Sequence, residues 1–546
     1  MDTRRQFLAR SGAAAAVVVL APQDAAIAAK RKKRKPKPPS RARLIPGGSF
    51  PQGVLSGDPA PGAITLLTLV DDVGGTGQVR LEVARDPDFR RVVARRDIWT
   101  SGAINHSVKA RVTGLRPHER YWYRFETRNH NSPVGRFQTA LPPDSRATVR
   151  FGFFSCADYT HGYYNAYAAL AREDVDFVVS LGDYIYAETS MQVGDGRAVR
   201  DDPIGRENPY HRWVLREAAT LPEYRAKYAL YRSDENLRRV HQTFPMIATW
   251  DDHEVQNNYA NDAEDGGLPL RSRFSRARRD AAYQAYFEAM PVFHRGRSRI
   301  YRTEPHGRTV ELMMLDERQY RENQPCGDAI ALPCASWDRR RTILGRRQFN
   351  WLKRQLSVSD AAWKIVAGQS LMMPNRVYDG EYQRFDSWQG YPREREQLLA
   401  HLTSQQIKDV VFIAGDVHTT VAGDINAQMG AGPPVAVEFA AGSISSPAPG
   451  EANYRMPGGT LLPGNDAKPS TPPDIQAHYR SINPWFDALD LDRHGYGLVT
   501  ATQSALDVTL QRVWTIKERG NIGTMPPAGF HWRLPRGRNS IRGTAV

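Results

Sequence analysis

The chemistry-bearing residues of this 546-residue chain gather at the ends of apolar runs. Cys156 follows FGFFS, and Asp183, Tyr184 and Tyr186 follow DFVVSLG. Asp251, Asp252, His253 and Glu254 follow FPMIATW, Gln369 follows WKIVAG, and Asp416 and His418 follow VVFIAG. Taken singly each has an ordinary explanation, since an Asp after Gly is commonly a turn former or a helix cap. Together, five strand ends carry thiol, carboxylate, phenol, imidazole and amide groups, which is the donor set of a metal site. Loops after strand C-terminal ends are also where α/β folds place their chemistry.

The elements that must position these residues begin near Thr148, where the pattern becomes apolar strand, loop and helix in repetition: VRFGFFSCAD, HGYYNAYAALARED, VDFVVSLGDYIY. Strands with few charges fit a sheet covered on both faces. Ahead of them, from about Phe50 to Pro142, short alternating strands separated by turns (AITLLTLV, QVRLEVARD, HSVKARV, YWYRFET, VGRFQTA) predict an antiparallel β-sandwich.

Composition excludes several classes. With 41% hydrophobic residues, 24% charged residues and 3 Cys, the chain is not disordered, collagen-like or a disulfide scaffold. The formal charge of +15 is concentrated: residues 30–43 (KRKKRKPKPPSRAR) hold nine Lys or Arg and no acid, leaving an excess of 6 elsewhere. No specific nucleic-acid partner is indicated. The run reads as a solvated linker with a possible contact to anionic cell-envelope polymer. Ahead of it, charged MDTRRQFLAR, apolar GAAAAVVVLA and a small-residue stretch ending AIAA read as an export signal over residues 1–29. Ten apolar residues span only about half of a bilayer core. Arg4-Arg5 followed by Gln6, Phe7 and Leu8 matches the pattern read by the twin-arginine export machinery, which carries folded proteins. No later stretch approaches a membrane span, so the mature chain is expected to be secreted, in the cell wall or in the periplasm, with no transmembrane helix. In such an oxidising compartment Cys326 and Cys334 (PCGDAIALPC) are expected to staple one loop, leaving Cys156 as the odd thiol.

The order strand-Cys156, GDYIY, WDDHEVQNNY, Gly-Gln369 and GDVH, with EFAAGSISSP and HGYG later, resembles the PhoD-type alkaline phosphatases of the calcineurin-like metallophosphoesterases. GLRPHERYWYRF resembles the fibronectin type III-like leader domain of several phosphatases. The resemblance implies an α/β fold, a four-layer αββα metallophosphoesterase sandwich over 147–520. A small antiparallel β-sandwich over 44–142 precedes it and a C-terminal tail, 521–546, follows. It implies Asp183 as the ligand bridging two ions, Cys156 in place of the usual first Asp, and Tyr186 as a phenolate ligand. It also implies Asp252, Gln369, Asp416 and His418 as ligands, with His253 in the catalytic position.

Donor chemistry then suggests the ions. Thiolate, phenolate, carboxylate and imidazole from Cys156, Tyr186, Asp183 and His418 favour Fe3+. The all-oxygen set of Asp183, Asp252, Asp416 and the Gln369 carbonyl suits Ca2+, with Mg2+ or Mn2+ as alternatives. The reaction expected is hydrolysis of phosphate monoesters, with phosphodiesterase side activity, by hydroxide generated from a metal-bound water. His253 would stabilise the transition state or protonate the leaving alkoxide, and Asp251 would orient His253 or support a cation. Glu254 is expected to be structural, and Asn257 and Asn258 to be either caps or site residues. A phospholipase D-like or teichoic-acid phosphodiesterase is the alternative within enzymes, and a metal-stabilised binding protein for anionic polymers the alternative outside them. The polar stretches Arg197–Tyr231 and Asn453–Ile482 are expected over the pocket.

Overall fold

The structure, a computed structural model, describes residues 41–189, 198–207, 215–261, 275–293, 298–328, 331–378, 380–451 and 473–546. The export segment 1–29, most of the basic run 30–43, most of 453–482 and parts of 197–231 lie outside the described residues. Among the described residues no helix is long and apolar enough to cross a membrane.

Two mixed sheets of nine and seven strands form the body. In the first, Val149–Phe154, Phe177–Ser180 and Met246–Ala248 are adjacent and parallel. In the second, Val310–Met314, Trp363–Ala367 and Val410–Ala414 are adjacent and parallel. FVVS, WKIVA and VVFIA are buried along their whole lengths, which is why they read as unbroken apolar runs. The sheets meet through one apolar core that interleaves Phe151, Phe177, Val179 and Ile247 with Leu312, Met314, Ile365 and Val411. At its margin the Phe177 ring stacks on His306 of the opposite sheet, with centroids 4.0 Å apart.

Helices cover the two outer faces. Asn165–Leu170, Leu221–Tyr231, Glu235–Thr243 and Arg276–Ala289 pack on the first sheet, and Gly345–Val358 and Pro392–Ser404 on the second. Their starts carry local signals: a Thr220/Glu223 capping box for Leu221–Tyr231, and an Asp234 side chain accepting from Asn236 N and Leu237 N for Glu235–Thr243. The four layers are therefore α, β, β and α.

The leader is a seven-stranded sandwich. Val92–Thr100, Gly77–Ala84, Arg120–Glu126 and Gly135–Gln138 face Val54–Ala60, Ala63–Leu69 and Ser107–Thr113 over a core that includes Val54, Ile64, Leu81, Tyr123 and Phe125. Two of these strands were not evident from sequence: VVARRDIWT is a mostly exposed edge that turns Ala94 and Ile98 to the core but is broken by Arg95, Arg96 and Asp97, and VLSGDPA is interrupted by Gly57 and Pro59. The three-stranded half continues into the nine-stranded sheet through the parallel pairing of Gly57 with Met246. A Cβ on Gly57 would sit 2.4 Å from Pro291 O and 2.6 Å from Met246 O, so the joint requires glycine.

The C-terminal segment is not a detached tail. His531–Pro535 pairs with Ala505–Arg512 at the edge of the nine-stranded sheet, and Trp532 is fully buried. Cys326 and Cys334 form a disulfide, and Cys156 is free and buried.

Candidate metal centre

The loops that leave the central strands turn sharply. Cys156, Asp183, Asp416 and His418 all have left-handed backbones, with φ of 59°, 52°, 63° and 51°. Such positions cost non-glycine residues about 1–3 kcal/mol each and cluster at functional sites. Close loop approach is the reason here. A Cβ on Gly182 would meet Asp251 Cβ at 2.4 Å, and Cys156 N and Ala157 N donate to Gly182 O and Asp183 O. The buried Glu254 carboxylate ties the loops together, accepting from Asp183 N (3.0 Å), Tyr184 N (2.7 Å) and Asp251 N (2.8 Å).

Two donor sets result, and they share a residue. Donor atoms of Cys156, Asp183 and His418 lie within 4.8 Å of one another, as do those of Asp183, Asp251, Asp252 and Asp416. Tyr186 joins the first set, its Oη 3.2 Å from Asp183 Oδ2 and 3.1 Å from His418 Nε2, with a hydrogen bond from Ser446 Oγ at 2.6 Å. Asp252 is fixed by Asn258 N at 2.6 Å, and the Asn258 amide donates to Asp328, two residues from Cys326.

His253 lies beside both sets. Its backbone N–H approaches Asp183 Oδ1 and Asp252 Oδ1, its ring stacks on Tyr186 at 4.0 Å, and its Nδ1 is 2.8 Å from Glu188 Oε2. Burial disfavours the charged ring, but the Asp252 and Asp183 carboxylates and Glu188 outweigh it and raise its pKa well above the ordinary value.

Two expected residues have other partners. The Gln369 side chain accepts from Glu317 N at 2.9 Å and donates to Thr249 Oγ1 and Leu315 O, while its backbone carbonyl accepts Gly415 N. Both oxygens thus stitch strand ends together. Asp251 does not orient His253, because its Oδ1 pairs with Arg318 Nε, and Glu188 holds the imidazole instead. Supporting a cation is the role its geometry matches.

Arg318 and Glu188 are the residues sequence reasoning missed. Buried Arg318 reaches Asp386 (2.6 Å), Asp416 (3.4 Å) and Asp252 (3.8 Å) as well as Asp251. Its signal was present, since VELMML is another apolar run and ends directly in Asp316, Glu317 and Arg318. Glu188 follows GDYIYA, close to Asp183 in sequence.

The electrostatics test whether ions fit. Four carboxylates surround one guanidinium, and among the described residues the buried Asp251 Oδ2 has no hydrogen-bond partner. Burial and neighbouring carboxylates push Asp183 and Asp251 far above the carboxylate range; burial, with Asp386 and Asp252 nearby, pushes Asp416 up to about 7. Burial followed by Asp183 raises Cys156 and Tyr186. Asp252 is held low, because Arg318 and His253 outweigh its burial, and so is Asp386, through Arg318 and Arg321. Burial pushes His418 down to about 4, leaving it a neutral imidazole able to donate its lone pair. A set that resists ionising together until cations arrive, with an orphaned oxygen inside it, fits metal ions.

Known proteins match this architecture. The family model for the PhoD-like phosphatase matches residues 151–510, and that for the PhoD-like phosphatase N-terminal domain matches residues 37–141. Alkaline phosphatase D of Bacillus subtilis (strain 168) is 36% identical over 399 residues, covering 69% of this chain and 66% of that protein's length. A solved structure of PhoD superposes with a TM-score of 0.77 at 30% identity, covering 93% of this chain and 95% of that one. Purple acid phosphatase PPD1 from yellow lupin (Lupinus luteus) shares the fold, with a TM-score of 0.50 at 12% identity over 84% of this chain and 71% of its own. With two donor sets at the strand ends of an αββα body and a β-sandwich leader ahead of it, the chain belongs to the PhoD-like phosphatase family.

Proposed function

We propose that this chain is an exported metal-dependent phosphoesterase that hydrolyses phosphate monoesters, with side activity on diesters. The observation that carries this reading is Asp183, which belongs to both donor sets. Cys156, Tyr186, Asp183 and His418 would hold Fe3+, and Asp183, Asp252 and Asp416 would hold Ca2+, with Mg2+ or Mn2+ as alternatives. Asp251, whose buried Oδ2 has no hydrogen-bond partner among the described residues, supports the oxygen-rich side. Bound there, the ions would supply Lewis acidity toward a water and a phosphoryl oxygen.

The protein's own groups do the rest. His253, whose backbone and ring lie beside both donor sets, serves as the acid that delivers a proton to the departing alkoxide. Glu188 fixes the ring from Nδ1 and Tyr186 fixes its plane by stacking. Arg318 gathers Asp251, Asp252, Asp386 and Asp416 around one buried charge, so these carboxylates are arranged before substrate arrives. Export rests on the twin-arginine pattern at Arg4-Arg5, and cell-envelope contact on the basic run 30–43. The name of the Bacillus relative, alkaline phosphatase D, supports the monoester reading.

The test compares hydrolysis of an aryl phosphate and a bis-aryl phosphodiester, with and without added Ca2+, alongside metal analysis of protein matured through its own export route. Faster, Ca2+-dependent monoester turnover with bound iron supports the proposal. Diester-only turnover would favour the phosphodiesterase of phospholipids or teichoic-acid polymers, and bound metal without turnover a binding protein.

A further inference from the structure

A second buried cluster lies outside the donor sets. Glu451 Oε2 is 2.8 Å from His161 Nε2 and 2.9 Å from His494 Nε2, and all three side chains are buried. Two imidazoles and a carboxylate within 4.8 Å of one another have the composition of a metal site. Lys517 argues against one: its Nζ is 2.7 Å from His161 O and 3.0 Å from His161 Nε2, which puts an ammonium against the nitrogen that would bind the ion. Burial alone would raise the pKa of Glu451, but His494 and His161 outweigh it and hold the carboxylate well below its usual range, so it stays ionised.

What this cluster holds is the loop 443–451. At one end Ser443 Oγ is 3.0 Å from His494 Nδ1. At the other, Glu451 accepts Ala448 N at 3.1 Å and returns its own N–H to Ala448 O. Between these ends the loop touches three members of the donor sets. Ser445 N and Ser446 N donate to Cys156 O, Ser446 Oγ donates to Tyr186 Oη at 2.6 Å, and Pro447 O lies 3.0 Å from His418 Nδ1. The Pro447 contact sets the face that His418 turns to Tyr186.

We propose that Glu451 is a positioning residue for the metal centre: by clamping His161 and His494 it fixes the loop 443–451, and with it Ser446 on Tyr186 and Pro447 on His418. The proposal rests on the reading that Tyr186 and His418 are metal ligands. Among the described residues Glu451 pairs with His161, His494 and Ala448 and with no member of the donor sets, so its effect must travel through the loop.

The test uses the full-length exported protein with Glu451→Gln, His494→Gln, Ser446→Ala and the double variant Glu451→Gln/Ser446→Ala. Glu438→Gln is the control, a buried carboxylate that accepts Met372 N and Met373 N and has no place in the centre. Glu451→Gln is expected to lower kcat on an aryl phosphate about 10- to 100-fold, the span usual for groups that orient metal ligands, with KM little changed. The visible charge-transfer band should shift, and the double variant should lose less than the sum of the single losses. Glu438→Gln, at a similar loss of Tm, should leave kcat and the band alone. His494→Gln keeps the test decisive if Glu451→Gln does not fold. Glu451 variants with lowered Tm but unchanged kcat and band would overturn the clamp. So would the loss of one metal equivalent with the centre's own ions retained, which would make the cluster a metal site. Wild-type protein without bound metal or turnover would instead overturn the proposed function, whatever the Glu451 variants do.

Discussion

Glu188 Oε2 lies 2.8 Å from His253 Nδ1, and the same carboxylate accepts Asn257 N through Oε1 at 2.8 Å. The imidazole is therefore oriented by a group that is itself anchored to the backbone beyond the WDDHE segment. Burial opposes ionisation of Glu188, but His253 and Arg278 keep its carboxylate below the usual range, so it remains an anion opposite the ring.

The first prediction concerns this pair. Glu188→Gln should lower kcat about 10- to 100-fold with both metals retained. Glu188 favours the charged imidazole, so its loss lowers the His253 pKa. If His253 acts as the acid, the alkaline limb of the kcat profile should then move to lower pH. An unmoved limb would remove Glu188 from the proton path. His253→Ala should cost about 100- to 10,000-fold while leaving metal content intact.

Asp183→Asn tests the shared ligand. The variant should lose at least one metal and most turnover, because the carboxylate belongs to both donor sets. Elemental analysis and aryl phosphate kinetics on the same preparation decide it, and normal metal with normal turnover would end the two-ion reading.

Cys156 is buried beside Asp183 and Tyr186, and its thiol pKa is raised by burial. A thiolate there requires a cation, so Cys156→Ser should weaken iron affinity and the visible band, whereas Cys326→Ser should leave both intact. Unreduced, metal-free, denatured protein should titrate as one free thiol, given the Cys326–Cys334 bond. An unchanged spectrum in Cys156→Ser would return this residue to the ordinary core.

Lys109 gives a pH prediction away from the centre. Buried on Ser107–Thr113, it donates to Phe287 O in the helix Arg276–Ala289, and burial pushes its pKa down to about 7. An unfolded lysine titrates near 10.4, so between about pH 7 and 10 the unfolded chain binds a proton that the folded chain does not. Stability contributed by this group therefore rises with pH across that window, by up to about 1.4 kcal/mol per unit. Lys109→Met should remove this slope in urea unfolding at pH 7, 8 and 9, and parallel curves for variant and wild type would refute it.

The parallel strands were legible because each is buried on both faces and reads as an uninterrupted apolar run. The gathering of donor residues was legible because polar residues directly after such runs have few other reasons to be there. What an apolar run does not encode is the direction of a side chain beyond it. Gln369 sits where a ligand was expected, yet its amide is engaged by Thr249, Leu315 and Glu317, which come from distant parts of the chain. Arg318 escaped notice because a cation among metal ligands runs against the pattern sought. It is needed because three buried carboxylates and the partly buried Asp416 demand charge compensation from the protein as well. Edge and joint elements, such as Val92–Thr100 and Gly57, were hidden because charges break the apolar period of the exposed strand and a lone glycine has none.

The pairing of Gly57 with Met246 makes the leader the continuation of a catalytic sheet. Without residues 44–142, Met246–Ala248 would become a border strand with unpaired N–H and C=O groups, open to the same strand of another copy. The β-sandwich thus acts as a guard against edge-to-edge association, whatever it contributes to catalysis.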